Sequence, residues 1–290
     1  MQHISRPQHI ESILLVKKTP FYLRMCNFCC TFAPKMKKSS IIVPQGMRRV
    51  LLHACCAPCS SAIVEWLCAH EIEPIIFYFN PNIYPQEEYE IRKAESKRHA
   101  ESLGIQWIDG DDPHPGPPLK SRVESQESRV ESQESRVESQ ESRVESQESR
   151  VESQESRVER CYNQAHAEWL EAMRGLENEP ERGSRCARCF YYRMLATAKK
   201  AQELGIPFFA TTLASSRWKN LEQINAAGEK AAEDVGCEML DVGCKMLDVH
   251  FWAQNWRKEG LQERRNALLK EYAFYNQQYC GCEFSMRSTK

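Results

Sequence analysis

Short apolar runs alternate with longer amphipathic stretches along most of this chain, and this alternation restricts its fold more than any other feature. Five apolar runs have the length and residue types of strands: 50–53, 74–79, 106–108, 207–212 and 246–250. Four stretches between them have helical character: 60–67, 87–103, 189–204 and 221–235. A glycine follows Leu103 and another follows Leu204, as is typical where helices end. Strands that alternate with helices predict a mostly parallel sheet covered by helices on both faces.

The expected fold class is therefore α/β, with a Rossmann-like (HUP-like) sheet. Residues 251–279 carry aromatic anchors such as Trp252 and Trp256, and they are predicted to form a helical C-terminal segment. Residues 1–46 differ from the rest, because basic residues, prolines and apolar groups are mixed there without a sustained period. We expect 1–46 to be a poorly ordered leader or a mis-assigned start, and 47–290 to form a single domain.

A tandem repeat interrupts this domain. Residues 121–155 hold five copies of SRVESQE, and a partial copy continues to residue 159. Each heptad offers one valine, whereas a coiled-coil seam needs two apolar positions per heptad. Such a segment cannot bury enough apolar surface to offset its ordering entropy. We therefore predict that 121–159 is a disordered, low-complexity insertion.

Cysteine content and charge limit the class of protein. The 290 residues include 14 cysteines, but secreted disulfide frameworks belong mostly to short chains, and no signal peptide or membrane-spanning apolar run is evident. We expect a cytoplasmic protein, with no membrane partner, whose reduced thiols bind metal or do redox chemistry. The net charge of −1 creates no general attraction to nucleic acid, so contact with RNA requires local patches.

The first close pair of cysteines follows the first predicted strand. Cys55 and Cys56 precede Ala57-Pro58, where the chain turns because proline disfavours the helical region for its predecessor. Both thiols are therefore expected at the carboxyl end of that strand, beside a helix N-terminus. Open α/β sheets bind their ligands at this edge, and a helix N-terminus favours thiolates.

Two more close pairs are Cys186 with Cys189 and Cys280 with Cys282. A Cys-x-x-Cys turn presents two sulfurs to one metal, and the dicysteine brings the number of thiolates to four. Four thiolates hold either zinc or an iron–sulfur cluster, and spacing alone leaves both open. A pair that binds no metal can cycle between dithiol and disulfide.

Six motifs follow one another along the chain. They are LLHACCAP (51–58), FNPNIYP (79–85), EY (88–89), RCARC (185–189), TTL (211–213) and YCGC (279–282). In this order they resemble the QueH family of cobalamin-independent epoxyqueuosine reductases. The resemblance extends from residue 47 to about residue 285 and excludes the repeats.

The resemblance implies a redox enzyme that acts on tRNA. The implied reaction reduces the epoxide of epoxyqueuosine at the wobble position to give queuosine, the last step of queuosine biosynthesis, with electrons from an unidentified donor. The implied ligands of a [4Fe-4S] cluster are Cys55, Cys56, Cys186 and Cys189. Cys280 and Cys282 are the implied redox-active pair. An additional mononuclear iron near the cluster is also implied.

Several other residues admit two interpretations. Cys59 is either a ligand of the second iron or a small apolar helix residue, and Asp109 and Asp111 are either oxygen ligands or solvated loop acids. Asn80, Asn82 and Tyr84 either contact the nucleoside or belong to an ordinary turn. His53 is expected to be a hydrogen-bonded interior histidine. The candidate phosphate-binding patch consists of Arg182, Arg185, Arg188, Arg193, Lys199 and Lys200.

Two rival functions use the same scaffold. A zinc-stabilised, non-catalytic RNA-binding module would need only the four cysteines, and the sequence leaves it open. An ATP-dependent tRNA-modifying enzyme would need a glycine-rich phosphate loop after the first strand. That position holds CCAPC without a glycine, so nucleotide binding is disfavoured.

Overall fold

The structure is a computed structural model that describes residues 41–111, 159–237 and 248–286. Residues 1–40 and the heptad repeat up to residue 158 lie outside the described residues. So do the thiols of Cys26, Cys29, Cys30, Cys237 and Cys244. No helix of the described part combines the length and apolar character that a membrane crossing needs.

Five parallel strands form one sheet. They are β1 (Arg49–His53), β2 (Glu73–Tyr78), β3 (Trp107–Asp109), β4 (Phe208–Thr211) and β5 (His250–Phe251). Their order across the sheet is β3-β2-β1-β4-β5, and all four pairings are parallel. β1 is central and is buried from Val50 to His53, because helices cover both faces of the sheet. The predicted parallel α/β class is confirmed.

The described helices connect and flank these strands. They are α1 (Ala57–Ala69), α2 (Gln86–Ser102), α3 (described over 159–172), α4 (Ser184–Glu203), α5 (Leu221–Cys237), α6 (Leu261–Glu271) and α7 (Glu283–Met286). The predicted ends of α2 and α4 are confirmed, since a glycine with φ of 66° follows each cap residue, Leu103 and Leu204.

The order in which successive strands are added to the sheet reverses between β1 and β4. From β1 the chain moves outward through α1 and α2 to β3, and from β4 it moves outward in the other direction through α5 to β5. Parallel crossovers are right-handed, so the two halves place their helices on opposite faces. Accordingly, α1 packs against α2 and α6, whereas α4 packs against α5. The crevice above the carboxyl ends of β1 and β4 is the expected ligand site of such a sheet.

The prediction of one helical segment over 251–279 is wrong in extent. Phe251 completes β5, and α6 begins only after Gly260, whose φ of 77° is left-handed and outside the helical region. Trp256 lies in the intervening loop, where its indole nitrogen donates to the carbonyl of Thr211 at 3.1 Å. Trp252 is buried as well, so these aromatic residues belong to the core.

Residues 41–46 lie against the folded domain. Ile41 is buried, and the indole nitrogen of Trp252 donates to the carbonyl of Ile42 at 3.0 Å. The domain boundary at Met47 stays a prediction, but these contacts identify residues before it that stabilise the fold.

A pair of neighbouring substitutions tests this packing. Ile41→Ala should lower the free energy of unfolding by about 2 kcal/mol or more, because a buried side chain is truncated. The matched control is Ile42→Ala, since Ile42 is 81% exposed; it should change the free energy by about 0.5 kcal/mol or less. Urea unfolding of the full chain measures both. Equal effects would show that residues 41–46 do not pack on the domain.

Candidate active site

Three cysteine sulfurs converge where β1 ends. The sulfurs of Cys55, Cys56 and Cys59 all lie within 4.8 Å of one another, and all three residues are buried. Cys56 precedes α1 with an extended backbone, and Pro58 occupies the first turn of the helix. The turn brings the sulfurs of Cys55 and Cys56 to 3.8 Å, although consecutive side chains on a strand point to opposite faces. Cys59 joins them from the first turn of α1.

The end of β4 supports this group. Thr212 follows β4, and its hydroxyl donates to the sulfur of Cys55 at 3.6 Å. The backbone N–H of Cys55 donates to the same hydroxyl oxygen at 3.3 Å. The three thiols therefore lie at the crevice between β1 and β4 that the topology predicts.

The three thiols differ in acidity. Hydrogen bonds from Cys56 and Cys59 lower the pKa of Cys55 well below that of an ordinary thiol. Burial raises the pKa of Cys56, and the hydrogen bond to Cys55 raises the pKa of Cys59 to about 11. The arrangement therefore favours the thiolate at Cys55 over those at Cys56 and Cys59, and a bound metal ion would stabilise the charge of all three.

A second pair of thiols lies on the first turns of α4. Cys186 and Cys189 are three residues apart on this helix, which begins at Ser184 rather than at the predicted residue 189. The backbone N–H of Arg182 donates to the sulfur of Cys186 at 3.3 Å. Burial raises the pKa of the Cys186 thiol. Both cysteines line a cavity of about 640 Å³ together with Cys55 and Cys59.

The C-terminal cysteines complete the cavity wall. Cys280 and Cys282 line the same cavity, and an antiparallel bridge joins Cys282 to Ile83. The N–H of Tyr84 donates to the carbonyl of Gly281 at 2.8 Å. Gly281 has a φ of 99°, and a Cβ there would approach Ile83 to 2.9 Å, so glycine is required. Burial raises the pKa of Cys282 to about 12.

A buried arginine fixes the backbone of this turn. Arg92, on α2, donates to the carbonyls of Tyr279 at 3.1 Å and Cys280 at 3.3 Å. Its guanidinium is paired with Glu88 one turn earlier, and Glu88 accepts a hydrogen bond from the hydroxyl of Tyr275 at 2.6 Å. The Glu88–Arg92 pair therefore joins α2 to the C-terminal tail, residues 275–282. Sequence reasoning missed it, because an i,i+4 pair on a helix is typical of a solvated face.

Sequence reasoning also missed α3. Trp169 and Met173 are fully buried, and they pack with Cys189, Cys282 and Phe284. Tyr162, Ala165, Trp169 and Met173 are spaced three to four residues apart, which was the available signal of a helix with one apolar face. α3 thus provides the apolar support behind two of the site cysteines.

Several residues with two interpretations have structural partners. His53 is the expected interior histidine: its Nδ1 lies 2.9 Å from the hydroxyl of Thr211 and its Nε2 lies 3.1 Å from the carbonyl of Phe79. Asn80 is fully buried, donates to the carbonyl of Ala54 at 2.9 Å and accepts from Arg193. Asn80 therefore supports the loop 54–56 between β1 and α1, the cysteine loop, through the carbonyl of Ala54.

Asn82 lies in the cavity wall, unlike Asn80. It is 3% exposed, and its amide oxygen has no hydrogen-bond partner among the described residues. Gln277, from the tail, also lines the cavity with an unpaired amide oxygen within the described part of the chain. Two polar atoms in the wall are thus available to a ligand.

The two aspartates lie outside the described cavity lining. Asp109 forms an ion pair with Lys93 at 2.8 Å. Asp111 is buried rather than solvated, and burial raises its pKa to about 8. The hydroxyl of Tyr89 donates to it.

The predicted phosphate-binding patch separates into two groups. Arg185 and Arg193 are buried and bonded to protein acceptors, whereas Arg182, Arg188 and Lys199 are exposed. Lys200 is paired with Glu203 at 2.6 Å.

The donor set is suited to a thiophilic metal or cluster. Six cysteines line one cavity, and Cys56 adds a seventh sulfur next to Cys55 and Cys59. Glu181 is the one carboxylate among the described residues that line it. A donor set dominated by soft thiolates matches zinc or an iron–sulfur cluster.

Comparison with known proteins identifies the family of this chain. The sequence model described as "Epoxyqueuosine reductase QueH" matches residues 50–134 and 120–288. The chain belongs to the QueH family. It is 35% identical to the epoxyqueuosine reductase QueH of Histophilus somni over 85% of this chain and 76% of that protein.

Two other QueH relatives give the same result. The QueH protein of Haemophilus influenzae is 34% identical over 87% of this chain and 77% of its own length. The Thermotoga maritima protein is 26% identical over 83% of this chain and 91% of its own length. All three carry the name of a reductase, and this QueH chain is an oxidoreductase.

The tail contact of this QueH chain can be tested through Arg92. Arg92→Met leaves Glu88 buried without its partner, so the free energy of unfolding should fall by about 3–5 kcal/mol. The tail should also loosen, so iodoacetamide should alkylate Cys280 faster under native conditions. The matched control on the same helix is Arg98→Met, whose side chain is half exposed and paired with Glu95. Unchanged stability and alkylation in the Arg92 variant would contradict the assigned contact.

Proposed function

We propose that this chain reduces the epoxide of epoxyqueuosine at the wobble position of tRNA to give queuosine. The observation that carries the proposal is the convergence of six cysteines on one cavity in a member of the QueH family. Epoxyqueuosine reductase is the printed name of its relatives, and reductive chemistry is what such thiols supply. The partner is tRNA, and the expected compartment is the reducing cytoplasm.

The proposed cofactor is a [4Fe-4S] cluster held by Cys55, Cys56, Cys186 and Cys189. The proposal is supported by the two cysteine groups. One contributes sulfur from the carboxyl end of β1, and the other contributes sulfur from the start of α4. When bound, such a cluster transfers single electrons. Cys59 is the proposed ligand of an additional iron, because its sulfur joins those of Cys55 and Cys56.

Cys280 and Cys282 are proposed to supply the electrons of turnover. Converting the epoxide to an alkene breaks two C–O bonds, releases the oxygen as water, and consumes two electrons and two protons. Oxidation of one dithiol to a disulfide releases the same number of each. An electron donor outside the chain then restores the dithiol. The hydrogen bond from the N–H of Cys282 to the sulfur of Cys280, at 3.5 Å, supports a turn in which the two sulfurs can meet.

The cavity wall is suited to a polar nucleoside. Asn82 and Gln277 offer unpaired amide oxygens, and an unpaired buried polar atom costs about 1–3 kcal/mol. Hydroxyl groups of the modified base would satisfy both atoms. A nucleoside must leave the anticodon stack to reach a cavity of this kind.

The ligand assignment and the reaction are tested together. Each of Cys55→Ser, Cys56→Ser, Cys186→Ser and Cys189→Ser should lower bound iron and sulfide after anaerobic purification, and should abolish reduction of epoxyqueuosine in tRNA. Cys161→Ser is the matched control, since Cys161 is a half-buried cysteine of α3 outside the cavity lining. Full iron and sulfide content in two of the four variants would refute the ligand set. Stoichiometric zinc without reductase activity would favour the RNA-binding module instead.

The redox pair has its own test. Cys280→Ser and Cys282→Ser should retain the iron, sulfide and visible absorption of the parent protein, because neither is a proposed cluster ligand. Multiple-turnover reduction should be lost, because a single remaining thiol cannot form the internal disulfide. Cys68→Ser, on α1, is the control. Normal multiple-turnover rates in either variant would eliminate the redox role.

A further inference from the structure

One tryptophan lies at the surface beside the cavity. Trp218 is 81% exposed and lines the cavity, whereas the other five tryptophans are buried or half-buried. It belongs to the loop 216–220, which connects the short 3-10 helix after β4 (Thr212–Ser215) to α5. The exposed ring lines a polar cavity, so its apolar face and its N–H are both available to a ligand that enters there.

The backbone of this loop is fixed although its indole is exposed. Arg182 donates from its side chain to the carbonyl of Trp218 at 2.8 Å. Arg257 donates to the carbonyl of Lys219 at 2.8 Å. The side chain of Asn220 accepts the N–H of Glu222 at 2.9 Å at the start of α5. The indole is therefore presented by a backbone that needs little ordering when a ligand binds.

Arg182 connects this loop to the cysteines that line the cavity. The side chain of Arg182 holds the carbonyl of Trp218, while its backbone N–H donates to the sulfur of Cys186 at 3.3 Å. One residue thus joins the exposed indole to a thiol of the site. A ligand bound in the cavity would therefore lie next to a ligand stacked on the indole.

Four cations line the cavity, and three of them belong to the Trp218 loop or donate a hydrogen bond to it. They are Arg182, Arg217, Lys219 and Arg265, and none of them forms an ion pair with a carboxylate within the part of the chain that the structure describes. The chain as a whole carries 39 basic and 40 acidic residues, so this excess is local. Unpaired cations beside an exposed aromatic ring match the phosphates and bases of a single-stranded nucleic acid.

We propose that Trp218 stacks on a nucleobase of the RNA loop that flanks the reacting nucleoside. Arg182, Arg217, Lys219 and Arg265 contact the adjacent phosphates. The inference rests on the proposed function, because it takes the anticodon loop as the occupant. Base stacking tolerates any sequence, since every base has a π-face, so Trp218 supports binding without selecting the tRNA.

Three substitutions separate stacking from simple apolar contact. Trp218→Ala and Trp218→Leu should weaken the binding of an unmodified anticodon stem-loop RNA roughly 5- to 150-fold, because stacking on the indole is lost. Trp218→Tyr keeps an aromatic face and should remain within a few-fold of the parent protein. Ile91→Ala is the control, since Ile91 is an exposed apolar residue of α2. Fluorescence anisotropy of labelled RNA with the anaerobically purified full chain measures all four.

A salt titration tests the cations in the same assay. Arg217→Gln should reduce the slope of log Kd against log salt by about 0.7, the value for one phosphate contact on a single strand. In turnover assays, Trp218→Leu should raise KM with little change in kcat. Binding by Trp218→Leu as tight as that of the parent protein would overturn the inference. Because binding is measured without turnover, a wild-type protein that binds RNA through Trp218 but does not reduce epoxyqueuosine would count against the proposed function alone.

Discussion

The parallel pairing of β1 with β4 is the constraint on which the site depends. Leu51, Leu52 and His53 pair in register with Phe209, Ala210 and Thr211, so the two strands end at the same level. The chain leaves β1 through the cysteine loop and leaves β4 through Thr212. Because the helices of the two halves lie on opposite faces, a crevice forms at this junction. The hydrogen bonds between Cys55 and Thr212 then bring the two strand ends together.

The part of the cavity wall formed by the C-terminal tail has a different origin. The C-terminal tail is a late and irregular part of the chain, and the sheet does not position it. Instead, it is held by the Glu88–Arg92 pair and by the bridge between Ile83 and Cys282. A buried ion pair adds little net stability, but it imposes a specific geometry once it is formed. The cysteines of the tail therefore owe their position to α2 and to the segment at Ile83 before it, neither of which contributes a thiol.

Periodic features of the sequence predicted the sheet well, because strand burial and helix ends are local signals. The run 50–53 and the glycines after Leu103 and Leu204 are of this kind. The site was predictable only in part. Cys55, Cys56 and Cys186 could be found from their spacing, but the partners of Arg92 lie nearly 190 residues away, at Tyr279 and Cys280. Contacts at that separation leave no pattern in a single sequence. The exposure of Trp218 could not be predicted from the sequence either, because an aromatic residue in a short loop is equally compatible with burial.

The buried arginines explain why this cavity suits an anionic occupant. Arg185 donates to the carbonyl of Glu177 at 2.9 Å, and Arg193 donates to the amide oxygen of Asn80. These acceptors are neutral, so they do not cancel the charge, and the Nε–H of each guanidinium has no hydrogen-bond partner among the described residues. Arg193 and Lys219 therefore add to the hydrogen bonds that lower the pKa of Cys55. Burial, assisted by Arg193, lowers the pKa of His53 to about 3, so His53 stays neutral and adds no further positive charge. Thiolates, a cluster bound by thiolates and the phosphates of RNA are all negatively charged, and each would offset a positive charge that the fold leaves uncompensated.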